Sequence, residues 1–206
     1  MGIGFVIFIH LIAIFIASFI CALIGVVVTY FVSKGGNKKR KILLAFITPF
    51  AGLYTLYICG IIGMSIVSDN KKVDIGMGDA WYVPLENGRH LSFIDIPEYA
   101  SIVKEDGMVL VSEISKMEEN GNLVLGKTFD NRYFSYNAKT DEVKDFGTEE
   151  ELSASNGSKK LNLIDTIEFY SERKDTIMGY WPLLIGFLSF IISIGVVYIW
   201  KMILLF

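Results

Sequence analysis

A membrane α-helical unit of three transmembrane helices, carrying a small extracytoplasmic β-rich α+β domain, is the fold class this sequence predicts. Three observations predict it. All 22 Asp and Glu residues lie between Asp69 and Asp175. Three long apolar runs outside that stretch contain no acid at all. Within the acidic stretch, short apolar-rich runs are separated by turn pairs such as Asn87-Gly88 and Asn120-Gly121, the pattern of antiparallel strands joined by tight turns.

The first apolar run covers 3–32 with His10 as its only acidic or basic side chain, the second covers 42–67, and the third covers 178–206 with Lys201 near its end. A hydrocarbon core about 30 Å thick is crossed by roughly 20 helical residues, and each run exceeds that. In lipid the backbone must satisfy its own hydrogen bonds, which for runs of this length means helix. A secretory signal would need a basic start and a shorter apolar core; Met1-Gly2-Ile3-Gly4 carries no side-chain charge. The predicted organisation is a first transmembrane helix at 1–33, a basic loop at 34–41, a second helix at 42–67, the acidic domain at 68–177 and a third helix at 178–206.

Orientation follows from the basic loop, where Lys34, Lys38, Lys39, Arg40 and Lys41 are the topology determinants. Short basic loops stay cytoplasmic. The N-terminus and residues 68–177 are thereby expected on the extracytoplasmic side and the C-terminus inside, in a bacterial inner (plasma) membrane. Such a loop also suits anionic lipid headgroups, each cation contributing about 1 kcal/mol.

Small residues recur at helical spacing along each run: Ala13, Ala17, Cys21, Gly25 and Thr29 in the first, Ala51, Thr55, Cys59 and Gly63 in the second, Gly186, Ser189 and Ser193 in the third. Stripes of this kind let helix backbones approach closely in lipid. They serve packing within the chain or, alternatively, a homo-oligomeric or partner interface. Pro49 is expected to kink the second helix. No acid lies in any run, so the intramembrane charges that mark ion pathways are missing.

The soluble stretch reads as an antiparallel meander or sandwich of roughly six or seven strands followed by two helices. Strands are expected at 81–85, 90–96, 101–104, 108–114, 123–128, 132–136 and 142–146. Thr148 and Glu151 have capping-box spacing and start a short helix. After Asn156-Gly157-Ser158, a further helical pattern through Leu161, Ile164 and Ile167 is expected to lead toward the third membrane run.

Two segments carry a resemblance. Gly78-Asp79-Ala80-Trp81-Tyr82-Val83-Pro84-Leu85 leading to Phe93-Ile94-Asp95, and the run from Arg132 to Val143, resemble parts of small, poorly characterised bacterial envelope proteins with β-rich domains. The run from Arg132 to Val143 is similar to one hairpin of a propeller-type blade. The resemblance implies a bacterial envelope origin and brings no activity with it.

The domain holds one histidine, His90, and no cysteine, so no nucleophile and base stand out; His90, just after a turn, reads as an exposed or strand-edge residue. No zinc spacing or phosphate-cradling glycine loop is present, and no cofactor or metal is expected. Of 19 Lys and Arg residues six lie outside 68–177, leaving 13 against 22 acids and a formal domain charge of −9. That charge disfavours nucleic acid and steers basic proteins toward the domain. The sequence therefore points to a non-enzymatic membrane protein whose outer domain binds a protein partner, one form being an immunity protein against a membrane-targeting toxin. An accessory or sensor subunit of an envelope complex is the alternative, and a transporter or channel is a third.

Overall fold

The computed structural model describes residues 2–35 and 37–205, and for Pro97 and Tyr99 the backbone alone. Met1 and Phe206, at the outer ends of the first and third predicted helices, and Gly36 of the basic loop lie outside the described residues. The chain divides into two compact units, one of Ser68–Gly179 and one formed by 2–67 together with 180–205.

The helical unit comprises α1 (Ile3–Val32), α2 (Lys38–Lys71, whose last turn belongs to the other unit) and α5 (Trp181–Leu205). All three are long and apolar enough to cross a membrane. Helix α2 begins at Lys38, inside the expected basic loop, so Lys38, Lys39, Arg40 and Lys41 form its first turn. It contacts both other helices. On the α1 side, the Tyr54 hydroxyl donates to the Leu11 carbonyl at 3.1 Å, Ser18 Oγ donates to Pro49 O at 3.5 Å, and Phe15 packs against Phe50. On the α5 side, Ser193 Oγ donates to Gly52 O at 2.8 Å. Such hydroxyl-to-carbonyl bonds join helices where no hydrophobic difference does. Pro49 lies within α2, and lacking an N–H it leaves the Ala45 carbonyl without its helical donor. That carbonyl faces α1 at Gly25, where an added Cβ would come within 3.4 Å of it.

The other unit contains nine strands among the described residues rather than six or seven. Strands β1 (Ala80–Leu85), β2 (Arg89–Ile94), β3 (Ile96–Lys104) and β4 (Val109–Val111) form an antiparallel sheet in that order. Strands β5 (Ile114–Asn120), β6 (Leu123–Thr128), β7 (Tyr133–Asn137), β8 (Glu142–Phe146) and β9 (Ile164–Asp165) form another, ordered β8-β7-β6-β5-β9. The expected strand at 108–114 is in fact two, with Glu113 at positive φ between them. The expected strand at 90–96 is likewise broken at Asp95, whose φ of 65° turns the chain from β2 into β3. Asn87 and Gly88 both adopt positive φ in the β1–β2 turn, as an Asn-Gly hairpin requires.

Period-two alternation sends Val83, Leu85, Leu91, Phe93 and Ile102 inward from the four-stranded sheet and Met117, Val124, Phe134 and Tyr136 inward from the five-stranded one, all buried. At β6 the direct partner of Phe134 is Gly126, and a Cβ there would lie 2.5 Å from the Phe134 ring; the ring occupies the space that a side chain would fill. Leu125 and Ser135 point to the opposite face and are also buried. Helix α3 (Glu149–Ser155) packs on β7 and β8 with Leu152 fully buried. Its N-cap is Thr148, which accepts from Glu151 N at 3.2 Å, as the capping-box spacing predicts.

Helix α4 (Thr166–Met178) starts later than expected. Residues 164–165 instead pair with β5 as β9, and Asp165 caps α4 by accepting from Ile167 N at 2.8 Å. The helix does not continue into α5: Gly179 adopts a positive φ of 46° after it, a conformation glycine enters at little cost.

Candidate functional site

Helix α4 touches both sheets, and three of its side chains tie the domain together. Tyr170 packs against Phe93 and Trp81, with ring centroids 5.5 and 6.5 Å away. Its hydroxyl donates to Asp74 Oδ2 at 2.6 Å, and Lys174 Nζ donates to Asp74 Oδ1 at 2.9 Å. Asp74, buried, also accepts from the backbone N–H groups of Gly76 and Tyr82 at 2.7 and 3.2 Å. One carboxylate thus receives four donors from the segment after α2, from β1 and from α4. Burial, then the Asp74 carboxylate, drives the Tyr170 phenol well above its ordinary pKa, so it remains a donor at any physiological pH. Arg173 bonds Pro84 O at 3.2 Å and Glu119 at 3.0 Å. Glu119 also accepts from Glu86 N at 3.0 Å. Burial raises the Glu119 pKa, with Glu86 N–H and Arg173 opposing the rise.

A further polar group joins the two sheets. Asp141 accepts from Arg89 at 2.6 Å, Lys104 at 2.8 Å and the Tyr136 hydroxyl at 2.8 Å. Together these donors hold its carboxyl far below the usual range, Lys104 contributing most. No buried side-chain polar atom among the described residues lacks a hydrogen-bond partner. Both groups hold strands together, the Asp74 group buried and joined to α4, the Asp141 group partly open to solvent.

Two features face outward. One is a cleft of about 550 Å³ beside the β1–β2 hairpin, bounded by Lys72, Tyr82, Pro84, Leu85, Gly88, Arg89, His90 and Glu105. His90 is not at a sheet edge, because β2 lies between β1 and β3. It is half-buried, its ring meets Tyr82 edge-on at 6.1 Å, and burial lowers its pKa against the opposing pull of Glu105. The cleft combines this ring and the Tyr82 ring with Lys72, Glu105 and the Arg89 already bonded to Asp141.

The other outward feature is the margin formed by β8 and α3. Glu142 and Asp145 on the strand and Glu149, Glu150 and Glu151 on the helix are all exposed. Strand β8 terminates its sheet, being paired with β7 on one side. An edge strand presents main-chain donors and acceptors to a partner, and charged side chains along it discourage indiscriminate pairing. Lys144, bonded to Glu142 at 3.2 Å, is the exposed cation within this margin's strand.

The small residues of the helical unit separate into two sets. Gly25 and Thr29 on α1 are partly covered, as are Ala51, Thr55, Cys59 and Gly63 on α2, and Ser189 and Ser193 on α5 are buried. A Cβ on Gly63 would come within 2.6 Å of Ile185. Ala13, Ala17, Cys21 and Gly186 are exposed. The covered face of α1 runs instead through Leu11, Ile14, Ser18 and Ala22, one position along from the stripe. Of the five cations expected to set the orientation, Lys38 sits over the Tyr30 ring at 3.8 Å, and Lys34, Lys39, Arg40 and Lys41 are exposed.

Comparison with known proteins found no matching family model, no matching curated protein and no matching solved structure.

Proposed function

We propose that this chain is a non-enzymatic inner-membrane protein that crosses the bilayer three times and binds a protein partner through residues 68–177 on the extracytoplasmic side. The observation that carries the partner reading is the acidic β8–α3 margin, where five exposed carboxylates border an edge strand with one side unpaired by the sheet. A basic segment of a partner meets complementary charge there and main-chain groups beside it. The orientation is supported by the five cations between α1 and the body of α2, since short basic loops stay cytoplasmic. The non-enzymatic reading is supported by the Asp74 framework, which commits that buried carboxylate to structure, and by the three donors that engage the part-exposed Asp141.

In its most concrete form the partner is a toxin that attacks this membrane and the chain is an immunity protein that neutralises it on the outer face. Reversing Glu149, Glu150 and Asp145 to lysine is then expected to abolish protection and partner capture while membrane insertion is unchanged. Protection that survives those reversals would reject the reading in favour of the alternative, an accessory or sensor subunit. That alternative is favoured by one observation of its own: Ala13, Ala17 and Cys21 are small, exposed residues on an apolar helix, a surface suited to another protein's helix.

A further inference from the structure

Helices α2 and α5 run antiparallel, as the contacts of Gly52 with Ser193 and Val197 and of Gly63 with Ile185 show. Continuing that register at 1.5 Å per residue puts Lys201 about 8 Å deeper than Lys41, at the same end of the unit. Helical periodicity carries both toward one seam. Lys41 is three helical turns before Gly52 and projects from the same face of α2, while Lys201 is one turn beyond Val197 on α5. Lys201 is flanked by Trp200, Met202 and Ile203, all exposed as lipid-facing residues are. Its ammonium lies 5.9 Å from the Tyr198 ring.

A cation held that far inside a helix end is costly without a counter-charge. The helical unit contains no Asp or Glu to supply one, because all 22 acids lie between Asp69 and Asp175. Its other charges at this end, Lys34, Lys38, Lys39 and Arg40, are all positive. Lysine reaches toward the interface along its apolar stem, and the anions found at that depth in a bilayer are lipid phosphates.

We propose that the basic end of the α2–α5 seam holds one anionic phospholipid headgroup, with Lys201 donating from below and Lys41 from the side. The inference rests on the membrane-crossing reading and goes beyond topology, because it assigns two particular lysines from two helices rather than a diffuse basic loop. Lys39, about 200° around α2 from Lys41, faces elsewhere and serves as the control of equal charge.

The test is native mass spectrometry of the detergent-solubilised intact protein titrated with phosphatidylglycerol or with zwitterionic phosphatidylcholine. One phosphatidylglycerol per chain is expected, with phosphatidylcholine bound at least tenfold more weakly. Lys201→Gln and Lys41→Gln are each expected to weaken the phosphatidylglycerol adduct about fivefold, Lys201→Arg to retain it, and Lys39→Gln to leave it unchanged. Equal losses in all the glutamine variants would show diffuse attraction only and overturn the proposal, as would equal retention of the two lipids. Resistance of the same proteins to carbonate extraction from membranes scores the membrane reading separately: extraction of the wild type would reject that reading, whereas a retained protein without a selective adduct rejects the site alone.

Discussion

Replacing Asp74 by alanine is expected to loosen the β-rich unit where the segment after α2, strand β1 and helix α4 meet. The substitution removes the acceptor for four donors at once, those of Gly76, Tyr82, Tyr170 and Lys174. Breaking a buried ion pair by deleting one partner costs about 3–5 kcal/mol. Lys174 retains 20% of its side-chain exposure and its contact with Tyr170 at 2.8 Å, so water relieves part of that cost and the lower end, about 3 kcal/mol, applies. This is a large share of the roughly 5–15 kcal/mol that stabilises a domain, and it lowers the closed-to-open ratio about a hundredfold. Tyr170→Phe removes one hydrogen bond to a charged acceptor and is expected to cost about 1.5–3 kcal/mol. Hydrogen exchange of the intact protein in lipid nanodiscs, followed on peptides from 80–94 and 166–178, reads both effects. Exchange in Asp74→Ala within twofold of wild type across both segments would refute the account of Asp74 as the tie between them.

Gly126→Ala drives a methyl to 2.5 Å from the Phe134 ring and 2.8 Å from the Lys116 carbonyl; a loss of about 1–3 kcal/mol is expected, seen as a lower denaturation midpoint for the β-rich unit. Gly63→Leu forces apart α2 and Ile185 of α5 and is expected to lower the melting temperature of the detergent-solubilised protein, whereas Gly25→Ala, with its nearest neighbour at 3.4 Å, is expected to be tolerated. Burial lowers the His90 pKa, so its contribution is present above the unfolded value near pH 6.5 and lost as pH falls through the folded one. Stability of the β-rich unit should therefore decline on acidification below about pH 6.5, and comparison with His90→Gln by chemical denaturation should show that part of the decline missing from the variant.

The sequence reveals this architecture unevenly, and the physical reasons are specific. Apolar runs longer than any buried helix needs announce α1, α2 and α5, and Asn-Gly pairs announce the β1–β2 and β5–β6 turns. Strand β5 is hidden because its inward residues Ile114 and Met117 are three apart, the ladder being irregular between Ile114 and Lys116, so period-two alternation fails. The break between β2 and β3 is hidden because Ile94 and Ile96 are both exposed around a single turning residue. Residues 164–165 mimic the start of a helix, yet sheet pairing and the Asp165 cap claim them. The site is less legible still. Asp74 is one acid among 22 in the sequence, and only tertiary contacts 96 and 100 residues away single it out. His90 is the domain's lone histidine, but its place in a cleft depends on Lys72 and Glu105, which lie outside its own hairpin.

Crosslinking in native membranes followed by mass spectrometry of the intact protein tests the partner-binding claim most directly. The account predicts crosslinks from the β8–α3 margin, for instance through Lys139 or Lys144 beside the exposed acids, to a protein with a basic contacting segment. Crosslinks confined to the helices, or to other copies of the chain, would contradict it.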